Sequence, residues 1–361
     1  MKGTTRGLIS ATTVLLLSTY AGAQKGTYTT FDAPGAFSTV VYDVNAGGTA
    51  TGYMTDVNNH ERGFLRAPNG TFTMLDDAAS GVGSYEGTIP LAINASDVVA
   101  GTYNPATTRS EAFVRTASGT FSNFTAPGSD IALLGTGTVA CAISGHGVVA
   151  GYFVKPDVSM AGFIRQTNGT VTEFTAPGSF PSQLEGTYVL SINNSEDVLG
   201  YYQDSTHTQH GFIRNRAGVF TTFDAPGAGS TFGLGQGTYP RIIDNSGRIT
   251  GVYYDNQSIL HGFIREANGT FVLIDYPNAS GTYVSHLGQN GEVVGGYYDS
   301  ANIGHGFVRL RNGRFLDITV PEASTQTAYQ GTGVQGVTAA GHVVGYYTDS
   351  TGRYHGFVWV P

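Results

Sequence analysis

Short apolar runs, each four to six residues long and separated by turn-forming residues, recur along the whole chain. One stretch contains four of them, at residues 189–192, 198–202, 210–214 and 219–224. Runs of this length bounded by Asn, Asp, Ser and Gly are typical of β-strands. The links between them are short enough for antiparallel neighbours. The pattern therefore predicts a sheet of four antiparallel strands.

The link between the third and fourth runs is a tight turn. In four of six copies it is Asn-Gly, a strong hairpin signal, because both central residues of a type I′ turn need positive φ. The six copies are Asn69-Gly70, Ser118-Gly119, Asn168-Gly169, Ala217-Gly218, Asn268-Gly269 and Asn312-Gly313. Most of the second runs, such as Val148-Val149, are apolar at successive positions, which is typical of strands covered on both faces.

The four-strand pattern is repeated. A small residue followed by Phe marks the third run of each copy, at intervals of 44 to 51 residues: Phe64, Phe113, Phe163, Phe212, Phe263, Phe307 and Phe357. We expect these Phe side chains between sheets, and the Gly before most of them to permit close approach. Seven antiparallel sheets that cover one another describe an all-β, seven-bladed β-propeller. A parallel β-helix is the alternative, but its coils are shorter and lack Asn-Gly hairpins.

The two ends of the chain complement each other. The last repeat stops at Pro361, directly after its third run, whereas residues 26–35 match the fourth-run segment 218–227 position by position. We therefore expect residues 28–32 to pair with residues 356–360. The N-terminal strand would then complete the last blade and close the propeller.

The first 23 residues have the pattern of a secretory signal peptide. Lys2 and Arg6 precede an apolar run over residues 8–17, and Ala21-Gly22-Ala23 is a small-x-small cleavage signal. The run is shorter than the roughly 20 residues of a membrane-spanning helix. We expect cleavage after Ala23, a single propeller domain over residues 24–361 without a membrane span, and a secreted or periplasmic location.

Composition narrows the choice of partners. The chain has 18 basic and 26 acidic residues, a net charge of −8, which would repel a nucleic-acid backbone. Its one cysteine, Cys141, cannot form an internal disulfide and lies in an apolar first run. The sequence contains no nucleophile elbow, no HExxH and no phosphate-binding glycine loop, so we expect no catalytic residue, metal or cofactor. We expect a monomer.

Four repeats carry His with Asp six residues earlier. Either a structural hydrogen bond across a short link or a ring of imidazoles for metal binding or acid–base chemistry would use such pairs. Four equivalent copies favour the structural interpretation, since a catalytic site needs one constellation. Repeats two and three have Glu111 and Ala161 in the His position, and repeat one has Arg62. The pairs are Asp204 and His210, Asp255 and His261, Asp299 and His305, and Asp349 and His355.

A second polar motif, Glu or Gln followed by Gly-Thr, precedes the first run in several repeats. In a propeller the first strand is innermost, so this motif lies at the mouth of the central channel, among links of variable length. Binding residues concentrate on such loops. A purely structural turn before the strand is the alternative. The candidate ligand-binding residues are Glu86, Glu185, Tyr188, Gln236 and Tyr239.

The combined pattern is Ile-Asn, Val-Val-Gly-Tyr-Tyr-x-Asp, His-Gly-Phe and Gly-x-Phe-x-x-Phe-Asp-x-Pro-Gly. It resembles the bacterial extracellular HAF-repeat proteins over essentially all of residues 26–361. The resemblance implies a secreted β-repeat protein and brings no established activity or catalytic residues. Repeats two and three depart from the family pattern at the His.

Two functions fit these expectations. The first is a non-enzymatic binding module that presents one loop face to a glycan or to an envelope or extracellular protein. The alternative is a polysaccharide-cleaving enzyme, a glycosidase or lyase with carboxylates at the channel mouth. Glycoside hydrolysis needs paired carboxylates about 5–10 Å apart. Glu86 and Glu185 would lie two blades apart, so convergence of two carboxylates in one pocket decides between the functions.

Overall fold

The computed structural model describes residues 26–106, 110–129 and 137–361, and in these ranges every regular element is a β-strand. The predicted signal peptide lies outside the described residues. Within those ranges no helix is long and apolar enough to cross a membrane.

The strands follow a regular rhythm of three strands of five to seven residues and one of four or five. Their bounds are β1 Thr27–Phe31, β2 Ser38–Val44, β3 Ala50–Thr55, β4 Glu61–Arg66, β5 Phe72–Leu75, β6 Gly87–Ile93, β7 Val99–Asn104, β8 Glu111–Arg115, β9 Phe121–Phe124, β10 Thr138–Ile143, β11 Val149–Val154, β12 Met160–Arg165, β13 Val171–Phe174, β14 Thr187–Ile192, β15 Val198–Gln203, β16 Gln209–Arg214, β17 Phe220–Phe223, β18 Gly237–Ile243, β19 Ile249–Tyr254, β20 Leu260–Arg265, β21 Phe271–Ile274, β22 Gly281–Leu287, β23 Val293–Tyr298, β24 Gly304–Arg309, β25 Phe315–Ile318, β26 Thr332–Val337, β27 Val343–Thr348 and β28 Tyr354–Val360.

The recurring unit is a run of four antiparallel strands, as the sequence predicts. Across the described residues the strands form five sheets. Three have four strands: β10 to β13, β22 to β25, and β26 to β28 with β1. The other two, β2 to β9 and β14 to β21, each join two units through one parallel register pair. Isolated parallel bridges link Met160 with Gly186 and Gly304 with Gly331.

The N-terminal strand β1 pairs antiparallel with the C-terminal strand β28. Thr27 lies opposite Val360 and Phe31 opposite Gly356, which is the predicted pairing. The Tyr28 hydroxyl accepts a hydrogen bond of 3.1 Å from the Thr319 N–H. Tyr28 also packs against the apolar cluster that contains Trp359. The first strand is therefore held by both hydrogen bonds and apolar contacts.

The repeated Phe residues form the core. All seven have no exposed surface, and they belong to clusters that combine residues of successive units. The preceding glycines are tightly surrounded. A Cβ at Gly211 would lie 2.6 Å from the Phe223 ring, and one at Gly162 would lie 2.5 Å from the Phe174 ring. A larger residue at Gly162 or Gly211 would force these rings to move, so packing favours glycine there, while repeat two accommodates Ala112.

A buried threonine joins consecutive units. In each first strand the Thr hydroxyl accepts a hydrogen bond of 2.9–3.0 Å from the N–H that follows the preceding fourth strand. The pairs are Thr39 with Ala33, Thr88 with Asp77, Thr138 with Ala126, Thr187 with Ala176, Thr238 with Ala225, Thr282 with Tyr276, and Thr332 with Val320. The Thr of the Gly-Thr motif therefore has a structural role, because a buried N–H needs a partner.

Candidate functional site

A cavity of about 600 Å³ lies between the first strands of the units. Every first strand contributes to its wall, and each carries a β-bulge at the same position. The residue left without a partner at each bulge lines the cavity: Tyr42, Leu91, Cys141, Leu190, Arg241, Ser285 and Gln335. Bulges re-aim side chains and are common beside functional sites. We call these seven residues the central ring.

The central ring varies where the rest of the unit repeats. The buried Phe and the bridging Thr are identical in all units, whereas the ring holds aromatic, aliphatic, thiol, cationic, hydroxyl and amide side chains. The fold therefore does not dictate the residue at this position. The sequence alone does not reveal the central ring, since a bulge adds one residue without a motif. The available signal is the variable residue within each otherwise regular first strand.

The described cavity wall has few charged groups. Asp43 is partly buried, its oxygens accept hydrogen bonds of 2.8 and 2.9 Å from the N–H groups of Val44 and Ile93, and desolvation raises its pKa to about 6. Burial lowers the pKa of His286, so this imidazole is neutral near pH 7. The Arg241 side chain is exposed. Arg241 is the cation of the described cavity wall.

Cys141 is a protonated thiol. Its Sγ donates to the Val189 carbonyl oxygen at 2.9 Å, and burial raises its pKa to about 12. A thiolate is needed for nucleophilic or metal-binding chemistry. The thiol therefore contributes polarity and size to the central ring, not reactivity.

Tyrosines form a continuous belt beside the central ring. Ring centroids lie 5.2 Å apart for Tyr152 and Tyr188, 4.9 Å for Tyr188 and Tyr201, 5.1 Å for Tyr201 and Tyr239, and 5.8 Å for Tyr239 and Tyr254. Tyr201, Tyr239 and Tyr254 line the cavity. Burial raises the pKa of Tyr201 and of Tyr239, so both hydroxyls stay protonated at neutral pH. The wall thus offers aromatic surface together with O–H groups.

The side chains of three candidate ligand-binding residues form hydrogen bonds to nearby loops. The hydroxyls of Tyr188 and Tyr239 donate to the carbonyl oxygens four residues earlier, at 2.5 and 2.6 Å. Gln236 is buried, accepts from the Thr231 N–H at 3.0 Å and donates to Ser258 Oγ at 3.0 Å. Of the five candidates, Tyr239 is the one that belongs to the described cavity wall. Their role in ligand binding stays a prediction.

The two candidate carboxylates lie outside the cavity wall. Glu86 accepts a hydrogen bond of 2.7 Å from the Gly83 N–H within its own loop. Glu185 contacts His207 Nδ1, while its Oε2 is buried without a hydrogen bond among the described residues. The His207 ring packs edge-on against Phe232, with centroids 5.1 Å apart. The described cavity wall contains one carboxylate, that of Asp43.

Large apolar side chains are exposed beside the Gly-Thr motif. Tyr85, Leu184 and Tyr329 each lie two residues before its Gly, with 69%, 43% and 72% of their surface exposed. Their φ angles are 61°, 56° and 64°. This left-handed backbone favours glycine. The equivalent residue of another repeat is Gly235, at φ 62°, so the fold accepts glycine there. We call Tyr85, Leu184 and Tyr329 the rim residues.

The Asp and His pairs are hydrogen-bonded in all four repeats. His210 lies between two carboxylates, with Nε2 3.3 Å from Asp204 Oδ2 and Nδ1 2.9 Å from Asp224 Oδ1. The hydrogen bond to Asp224 and the Asp204 carboxylate raise the pKa of His210, whereas burial lowers it; the net shift is upward. His261 and His355 have the same arrangement, and in His305 a Thr hydroxyl replaces the second carboxylate.

Two of the departing repeats replace this arrangement. Arg62 forms an ion pair with Asp76, with Nε 3.0 Å from Oδ1. Glu111 accepts a hydrogen bond of 2.6 Å from the Tyr103 hydroxyl.

In each of the four repeats with the Asp and His pair, both nitrogens of the imidazole form a hydrogen bond. In the described part of the chain no cluster of three or more His, Cys, Asp or Glu side chains has the arrangement of a metal site.

No family model matches the chain, and no curated protein matches it. Solved structures do. The BP39L lectin from Burkholderia pseudomallei is 12% identical, with 94% of this chain and 98% of the lectin covered and a TM-score of 0.53. The β-propeller domain of the Trilobed protease from Pyrococcus furiosus is 11% identical, with 89% and 95% covered and a TM-score of 0.53.

A prolyl endopeptidase is 11% identical, with 90% of this chain covered and a TM-score of 0.55. The chain spans about half the length of that protein, 50% of which is covered. Identities this low carry information on the fold alone. The repeated antiparallel units and these likenesses together show that the chain has a β-propeller-like, all-β fold.

Proposed function

We propose that this chain is a secreted, non-enzymatic, glycan-binding β-propeller of seven blades, of the HAF-repeat type. In this proposal β1 provides the fourth strand of the last blade and closes the ring. The pairing of β1 with β28 supports closure. So does the position of the Arg66 guanidinium, 4.4 Å from the centroid of the Phe31 ring, because it joins the first unit to the last.

The rim residues carry the proposal of binding. Each keeps a large side chain in a backbone conformation that costs roughly 1–3 kcal/mol outside glycine. Tyr85 and Tyr329 are mostly exposed, Leu184 is 43% exposed, and the Tyr329 ring contacts the Tyr298 ring edge-on at 5.5 Å. Glycine at the equivalent position of another repeat shows that folding does not need these side chains. Exposed apolar groups on one face of a rigid scaffold indicate contact with a partner. Such strain is typical of functional sites.

The cavity fits a carbohydrate better than an apolar ligand. Tyrosine faces pack against the apolar faces of sugars, and their hydroxyls donate hydrogen bonds to sugar oxygens. A volume near 600 Å³ lies within the usual range for small-ligand sites. One of the proteins with this fold reported above is a lectin. The chemistry of the wall is thus consistent with a saccharide.

The polysaccharide-cleaving alternative gains no support from the cavity. Its hydrolytic form needs two converging carboxylates. The described wall has only Asp43, and both of its oxygens accept backbone hydrogen bonds. Glu86 and Glu185 are not part of the wall.

Binding of the secreted form, residues 24–361, to a glycan array tests the proposal. We expect binding to at least one class of glycan. A Tyr85→Gly and Tyr329→Gly double variant should bind at least about tenfold more weakly, with an unchanged melting temperature, because glycine relieves the strain at both positions. Val219→Ser, which changes an exposed apolar residue at a hairpin turn, is the control and should bind normally. Absence of binding to every glycan, or full binding by the double variant, would refute the proposal.

A further inference from the structure

Arg241 differs in its contacts from several other arginines of this chain. Arg66, Arg165, Arg214 and Arg265 stack on phenylalanine rings at 4.4 to 5.0 Å, and Arg248 pairs with Asp244 at 2.8 Å. Among the described residues Arg241 has no ion pair and no ring beneath it. As a member of the central ring it projects from the bulge of β18 into the cavity. Its five N–H donors are free for a ligand.

The surroundings of Arg241 contain further donors. Its charge acts on the hydroxyls of Tyr283, Tyr298 and Tyr346, and opposes the burial that raises their pKa. These tyrosines come from two other units. Each hydroxyl is protonated at neutral pH and can donate. These three tyrosines are not part of the described cavity wall; the tyrosines that line it together with Arg241 are Tyr42, Tyr201, Tyr239 and Tyr254.

A second polar side chain of the cavity wall is the imidazole of His286, which follows the bulge residue Ser285 of β22. Burial lowers its pKa, so it adds a polar group but no charge to the wall near pH 7. The wall's carboxylate, Asp43, already accepts from two backbone N–H groups. Arg241 is thus a cation of the described wall without a charged partner, and this favours a negatively charged guest.

We propose that the cavity binds an acidic saccharide and that Arg241 pairs with its carboxylate, while the tyrosines of the cavity wall contact the sugar ring. This inference rests on the proposed glycan-binding function and narrows its ligand class. A planar guanidinium forms two parallel hydrogen bonds with a carboxylate, which Lys cannot reproduce. A neutral sugar bound against Arg241 would displace water from the exposed guanidinium without supplying an opposite charge, which costs free energy.

The acidic net charge of the chain does not exclude such a ligand. At physiological salt the Debye length is about 8 Å, so a short oligosaccharide in the cavity responds to Arg241 more than to the distant surface. A long polyanion such as a nucleic acid would contact the acidic surface over many Debye lengths. Binding of a short acidic saccharide is therefore compatible with the expected exclusion of nucleic acids.

Titration calorimetry with matched saccharides tests the inference. The probes are oligogalacturonate, hyaluronan oligosaccharides and sialyllactose, each compared with its methyl ester, which is the same saccharide without the charge. We expect at least one acid to bind about tenfold or more tightly than its ester, with affinity that falls as salt rises. Arg241→Gln should remove this preference, and Arg241→Lys should restore only part of it.

Arg314→Gln is the matched control, since Arg314 is an exposed arginine in a hairpin turn and should leave binding unchanged. Melting curves establish that the Arg241 variants are folded. Equal affinity for acids and esters, or unchanged binding by folded Arg241→Gln, would overturn the inference and leave glycan binding intact. Failure of acids, esters and the whole glycan array to bind would overturn the proposed function itself.

Discussion

The imidazole of His355 and the carboxylate of Asp32 are 2.9 Å apart, from Nδ1 to Oδ1, although 323 residues separate them along the chain. The same contact joins His210 to Asp224 within one repeat, where the separation is 14 residues. The N-terminal segment therefore supplies the second carboxylate that the last His would otherwise lack. This long-range copy of a local contact is what the proposed ring closure requires.

Deletion of residues 27–32 should cause aggregation or a large loss of thermal stability. The deletion exposes the edge of β28 and uncovers Trp359, and unpaired edges template aggregation. Size-exclusion chromatography and a melting curve measure both effects. Asp32→Asn is the matched control and should cost less than about 1 kcal/mol, because this carboxylate is half-exposed. A deletion variant that melts like the intact protein would contradict the clasp.

The contribution of His210 should depend on pH in a defined direction. Because its folded pKa is raised, chiefly by the hydrogen bond to Asp224, the charged pair stabilises fully below the unfolded pKa of about 6.5 and weakens as the pH rises through the folded value. Asp224→Asn should therefore lower the free energy of unfolding by about 0.5–1 kcal/mol near pH 6, since the carboxylate is half-exposed. Urea titrations should show a smaller difference at pH 9. A difference that widens with pH would exclude this assignment.

Val158→Asn should stabilise the protein by about 1 kcal/mol. Val158 has a φ of 65°, where a β-branched side chain is strained. Equivalent turn positions in other repeats have similar φ angles and hold Asn59, His207, Ser258, Asn302 and Gly352. A higher denaturation midpoint with an unchanged m-value would be the expected result. The reverse variant, Asn59→Val, should be destabilised to a similar extent, and stabilisation of both would refute the strain argument.

Much of the fold could be predicted from the sequence, because the residues that determine it are repeated. Asn-Gly turns, the Gly-Phe step and the match of residues 26–35 to residues 218–227 predicted the antiparallel units and the partner of β1. The division into five sheets was not predictable, since the eight-stranded sheets depend on single register pairs such as Glu61 with Gly87. Repetition carries no information about geometry this fine.

The site was less predictable, because a ligand-binding position in a repeat protein is one that does not repeat. The Gly-Thr motif selected residues of the links before the first strands, and of these Gln236 is buried and Glu86 bonds within its own loop. The side chains that line the cavity follow from bulges, which depend on strand pairing and not on residue type. Arg241 became a candidate only when the bulge register placed it in the cavity wall.

Repeated and variable positions should respond differently to truncation. Phe263→Ala should cost about 3–5 kcal/mol, because the ring has no exposed surface and its loss leaves a cavity between units. Gln335→Ala, in the central ring, should change stability by less than about 1 kcal/mol, since this side chain lines a cavity and leaves no packed void. Chemical denaturation measures both. If Gln335→Ala destabilised as much as Phe263→Ala, the central ring would be part of the structural core, and its variability would need a folding explanation instead of a binding one.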